Sequence, residues 1–198
     1  MTEIASAVAA DRLTEIIRGE SNGMAHYYVA VDGADEAAIA ALAGELSRRL
    51  SGFVIPTDAF LLPARNLTPE RAAAPGGAFD YERFTREVAR PFLSKKLPVY
   101  GVYNERIRGT VERVQTPECG VYLIAGRYAL HPEIPDFYDL RIVLHGEDDE
   151  GDPAVRAYLS AYMIEEFCDV LVAPNAREEN SEESFTGFSL PLPFDGNA

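Results

Sequence analysis

The chain has 198 residues, 47% hydrophobic and 25% charged, a composition ordinary for a globular domain and too apolar for a disordered one. Its 32 acidic against 18 basic residues leave a net charge of −14, so its surface repels nucleic-acid phosphates and anionic lipid. Two cysteines are too few for a disulfide scaffold, and Cys119 and Cys168, each beside an apolar run, read as buried thiols of a reducing compartment.

In chain order, Ile4, Ala5, Val8, Ala9, Leu13, Ile16 and Ile17 share one helical face, and that helix should stop near Gly19. "YYVAV" is a buried strand, and residues 36–50 form a helix with Ile39, Leu42, Ala43, Leu46 and Leu50 inward. "GFVIPT" is a second strand, and residues 61–78, rich in proline, arginine and glycine, have loop composition. "DYERFTREVARPFL" is a helix with Phe84, Val88 and Phe92 on one side. "PVYGVY" and "GTVERVQ" form a hairpin, and "GVYLIAG" and "DLRIVLHG" are buried strands. A helix over 153–166 leads to a last strand, "DVLVAP".

Short apolar strands alternating with helices predict an α/β fold, a mainly parallel sheet with helices on both faces and a small β-hairpin extension. A single domain over 1–175 and a polar C-terminal tail over 176–198 are expected; the apolar "FSLPLPF" near the end could dock on its own domain or on a second subunit. No apolar stretch reaches the ~20 residues needed to span a bilayer. The acidic N-terminal segment lacks the basic start of a signal peptide. A soluble, cytoplasmic protein is the expectation.

The order of motifs resembles the uridine kinase and phosphoribulokinase-like branch of the P-loop kinases. "VAVDG" matches the strand that opens the phosphate loop, and "TDAFLLP" the aspartate-bearing end of the second strand. "PGGAFDYERF", "LPVYGVYNERIRGTVERV", "YLIAGRYAL", "FYDLRIVL" and "CDVLVAPN" follow in the family's order, so the resemblance covers most of residues 27–175. It implies a three-layer P-loop NTPase-like fold. It also implies an acceptor side in which Asp58 takes the proton of a substrate hydroxyl, Asp80 holds sugar hydroxyls, Tyr100 lies near a base, and Arg106 falls in the polar acceptor-binding stretch. Each has a plain alternative: Asp58 capping a turn, Asp80 capping the helix at 81–93, Tyr100 packing under the hairpin.

The phosphate side departs from the pattern. In G-x-x-x-x-G-K-[ST] the glycine amides wrap phosphate, the lysine reaches the outer phosphates and the hydroxyl binds magnesium. Counted from Gly33, those positions hold Ala38, Ile39 and Ala40, while Asp35 and Glu36 occupy the helix start where a phosphate would sit. The glutamate that precedes the glycine after the "YLIA" strand is replaced by Ala125, and the lid segment is acidic with a single arginine, Arg156. Phosphoryl transfer needs those cations. The expectation is therefore a degenerate, pseudokinase-like chain with no cofactor, which binds a small sugar- or nucleoside-like ligand or acts through a protein partner or homodimer.

The alternative is an active nucleoside or sugar phosphotransferase using ATP and magnesium, with cations drawn from Arg65, Arg71, Arg106, Arg108 and Arg127. His26, His131 and His145 show no metal spacing, and the acidic run 147–152 lacks the spacing of a calcium loop. No metal site is expected. Ser181, Ser184 and Ser189 have no partnered histidine, so no nucleophile triad is expected.

Overall fold

The computed structural model describes residues 1–104, 109–146 and 152–174. Arg106, Arg108, most of the acidic run and the tail over 176–198 lie outside the described residues.

Six strands form one sheet: β1 (Thr2–Ala5), β2 (Tyr27–Gly33), β3 (Phe53–Pro56), β6 (Val121–Ala125), β7 (Leu140–Leu144) and β8 (Val170–Ala173). Their order is β1-β8-β7-β2-β6-β3, and every pairing is parallel. The central strands are largely apolar because both faces of the sheet are covered, Asp32 at the end of β2 and Arg141 in β7 being exceptions. In β6, Tyr122 and Ile124 face one side, while Val121, Leu123 and Ala125 face the other. Helices α1 (Ala9–Glu20) and α2 (Glu36–Leu50) cover the second side through Leu13, Ile17, Ile39 and Leu46.

The first side is covered by a broken helix and a later helix α6 (Pro153–Ala161), and a short helix α3 (Pro69–Ala73) precedes the broken helix in the chain. The broken helix runs as α4 (Tyr81–Phe84), a wide π turn (Thr85–Ala89) and α5 (Arg90–Leu93). The separate antiparallel hairpin of β4 (Val99–Asn104) and β5 (Gly109–Gln115) joins this layer.

Four element boundaries differ from expectation. Residues 2–5 form an edge strand rather than a helix, because the free edge of β8 offers a ladder; Ile4 pairs with Val172 and is buried there. The 61–78 stretch contains α3, started by the Thr68 hydroxyl and Pro69. The helix over 80–93 widens just before Pro91, which has no N–H to give the preceding turn. The helix from 153 ends at Ala161, and a 3-10 turn (Ile164–Phe167) follows Met163 in left-handed backbone. No helix among the described residues is long and apolar enough to cross a membrane.

Candidate functional site

In a parallel α/β sheet, ligands bind beyond the carboxyl ends of the strands, where connections on either side diverge. Here that edge is formed by the ends of β2, β3 and β6. β2 ends on Asp32 and Gly33. Gly33 takes a φ of 151°, and a Cβ on it would stand 2.6 Å from the Leu144 carbonyl of β7. The glycine is therefore demanded by the neighbouring strand, whatever the loop beyond it binds.

That loop is one residue, Ala34, before the cap of α2. Asp35 has extended backbone, and its Oδ1 accepts from the amides of Ala37 at 2.9 Å and Ala38 at 3.0 Å. The Ile39 amide donates to the Asp35 carbonyl at 3.0 Å. Helix α2 thus begins at Glu36, inside the span a phosphate loop would occupy, and its first amides are bonded within the chain. Ile39 is 1% exposed in the core.

Arg127 crosses this helix start from the loop after β6. Its guanidinium lies 2.9 Å from Glu36 and 3.5 Å from Asp152, the cap of α6. Its own carbonyl accepts the Thr57 hydroxyl at 2.9 Å. Gly126, at φ 134°, lets the loop pass Thr57; a Cβ there would fall 2.1 Å from the hydroxyl oxygen.

Between these parts lies a cleft of about 70 Å³. Ile39, Ala40 and Ala125 give it apolar walls, and Glu36, Asp58 and Arg127 give it charge. Small-molecule sites start near ~300 Å³, so among the described residues the cleft takes only a fragment of a nucleoside or sugar.

The acceptor residues divide. Asp58 lines the cleft and is exposed, and among the described residues its side chain does not cap its own 3-10 turn (Thr57–Phe60), whose cap is Pro56. Asp80 caps α4, accepting the Arg83 amide at 3.0 Å, and pairs with the Arg83 guanidinium at 3.4 Å. Tyr100 is 2% exposed and packs 5.5 Å from the Phe60 ring; burial, then the Asp58 charge, pushes its phenol up to about 12. Asp58 and Tyr100 are therefore neighbours, while Asp80 is occupied by its own helix. Among the expected cations, Arg127 lines the cleft. Arg71 is committed elsewhere, to Glu82, to the carbonyls of Gly77 and Phe79 and to the face of Tyr81.

The residue that sequence reasoning passed over is Asp32. It is wholly buried and accepts from the amides of Gly33 (2.8 Å), Tyr128 (3.2 Å) and Leu130 (2.9 Å) and from the Tyr158 hydroxyl (2.8 Å). Burial outweighs those bonds and raises its pKa to about 6. The available signal was a carboxylate ending the apolar run "YYVAV". No group of three His, Cys, Asp or Glu side chains converges as a metal site among the described residues.

No family model matches the chain, and neither does any curated protein. Solved structures do match. A "possible uridine kinase" from Bacillus stearothermophilus superposes with a TM-score of 0.68 at 16% identity, over 84% of this chain and 98% of the other. The fold is that of the P-loop kinases. A "putative fructose transport system kinase" from Silicibacter sp. TM1040 matches with a TM-score of 0.53 at 26% identity, over 80% of this chain and 82% of the other. In this fold β2, which ends on Gly33, lies inside the sheet between β7 and β6.

Proposed function

We propose that this chain is a P-loop-fold protein that does not hold Mg-ATP in the family's way and works instead through its acceptor side, as a binder of a sugar- or nucleoside-like ligand. One observation carries this reading: Asp35 takes the amides of Ala37 and Ala38 that a phosphate would need. Ile39, Ala40 and Ala125 stand where the resemblance expects a lysine, a hydroxyl and a glutamate, so the residues present do not fit a magnesium-bound triphosphate. Asp58, exposed on the cleft wall with Tyr100 buried nearby, is the acceptor-side residue that supports this reading. The likeness in fold to chains described as a possible uridine kinase and a putative fructose transport system kinase supports that ligand class.

Calorimetry decides the matter. Mg-ATP should give no saturable heat, whereas uridine or fructose should bind, and Asp58→Asn should weaken that binding by ~10-fold, the cost of one charge-assisted hydrogen bond. Micromolar binding of Mg-ATP would overturn the proposal.

A second reading, a working phosphotransferase, rests on Arg127, a cation in the same cleft as Asp58. It requires magnesium-dependent transfer from ATP to uridine or fructose that is lost in Asp58→Asn and in Arg127→Gln.

A further inference from the structure

Arg83 lies in the "PGGAFDYERF" stretch without an expected role, yet its side chain is only 16% exposed and it makes contacts on several sides. One terminal nitrogen donates to the Gly101 carbonyl of β4 at 2.9 Å. The other donates to the Ala59 carbonyl, in the turn that carries Asp58. The guanidinium carbon stacks 4.5 Å from the centre of the Phe60 ring. Nε faces the second oxygen of Asp80 at 3.4 Å, and the first oxygen already accepts the Arg83 amide, so both oxygens of that carboxylate are turned to this one residue. Glu87, one turn on and 3.6 Å from the guanidinium, completes a clamp: it accepts the Gly101 amide at 3.1 Å. Arg83 and Glu87 therefore grip the same residue of the hairpin, one through its C=O and the other through its N–H.

The residues gripped are the sequence neighbours of the proposed ligand residues: Ala59 follows Asp58, and Gly101 follows Tyr100. A two-stranded hairpin is only marginally stable alone and takes its position from what it docks on. A planar guanidinium with fixed donor directions can serve two carbonyls, a carboxylate and an aromatic face together; a lysine ammonium cannot.

We infer that Arg83 is the positioning residue of the acceptor side: it joins strand β4 to the Thr57–Phe60 turn and so holds Tyr100 against Asp58. The inference rests on the reading of Asp58 as the ligand-facing residue, with Tyr100 packed behind it. It also removes Asp80 from ligand recognition, because that carboxylate is committed to Arg83.

The test needs no ligand. Protein labelled with 3-fluorotyrosine is followed by fluorine NMR, the Tyr100 resonance being identified by its absence in Tyr100→Phe. In the parent chain, Asp58→Asn should shift that resonance, because the charge beside the ring is removed. In Arg83→Met the response to Asp58→Asn should be lost, and Arg83→Lys should not restore it although it keeps the charge. Circular dichroism on each variant separates this from unfolding, and Arg83→Lys serves if Arg83→Met does not fold. An Asp58→Asn shift of the same size in a folded Arg83 variant overturns the inference, and so does its absence in the parent. Titration of the same proteins with uridine and fructose keeps the two proposals apart. If neither ligand binds but the Tyr100 response depends on Arg83, the positioning role stands and the ligand reading falls.

Discussion

Asp32 and His131 are buried ionisable groups that pull the stability of the chain in opposite directions. The Asp32 carboxyl rises from 3.8 to about 6, so the folded chain prefers it protonated. Its contribution to stability is fully present below pH 3.8 and is lost as the pH rises through 6. The His131 ring is stacked between Tyr81 and Tyr158, and burial, then the Arg71 charge, lowers its pKa from 6.5 to about 4. Its contribution is fully present above pH 6.5 and is lost as the pH falls through 4. Each amounts to about 3 kcal/mol across its window, so the two nearly cancel between pH 4 and 6. Urea unfolding across that range should therefore show a shallow slope in the parent. It should show stability rising with pH in Asp32→Asn, where only the histidine remains, and falling with pH in His131→Phe. Parallel profiles in all three proteins would exclude this opposition. At this scale the sequence shows which residues carry charge but not who meets them. Three of the four donors to Asp32 come from Tyr128, Leu130 and Tyr158, roughly a hundred or more positions away. Asp58 and Asp80 look equivalent as letters, and only the fold leaves one on a cleft wall and gives the other to Arg83.

Elements were legible where local chemistry and burial agree. Helix α2 spans Glu36–Leu50 as its periodicity requires, and Asp35 ahead of it is the capping residue its position suggests. The N-terminal segment misled because Ile4 is buried in an edge strand as readily as on a helix face, and only contact with β8 selects the strand. The loop after β6 gives nothing away in sequence, yet its path is the most constrained at the site. Gly126→Ala would press a methyl onto Thr57 and force a left-handed backbone on alanine. The expected cost is about 2–4 kcal/mol, with loss of the Thr57–Arg127 bond. Gly44, exposed in the middle of α2 with nothing near its would-be Cβ, is the contrast: Gly44→Ala should stabilise the chain by roughly 0.5–1 kcal/mol. Chemical denaturation of the two variants checks both signs, and a Gly126→Ala protein as stable as its parent would refute the steric account of the loop.

Over the whole molecule, the alternation of strands and helices disclosed the layer architecture, whereas the strand order is written in contacts between segments far apart in sequence. The charge excess acts on the same scale. The chain has 32 acidic and 18 basic residues, and several arginines sit in short pairs, such as Arg71 with Glu82 at 2.8 Å and Arg127 with Glu36 at 2.9 Å. The excess of carboxylates over cations leaves a net repulsion that acts over longer distances. Salt acts unequally on these two terms. The Debye length falls from ~30 Å at 0.01 M to ~10 Å at 0.1 M, which screens the distant repulsion and leaves pairs in contact largely intact. Exposed pairs are in any case worth only ~0–1 kcal/mol each. The folded chain, being compact, feels the repulsion more than the unfolded one. The thermal midpoint should therefore rise by several degrees, about 3–6 °C, between 0.01 and 0.3 M sodium chloride. Choline chloride should do the same at equal ionic strength, since the effect needs no particular cation. A midpoint that falls with salt would mean that the arginine pairs, and not the net charge, dominate the electrostatics of this fold.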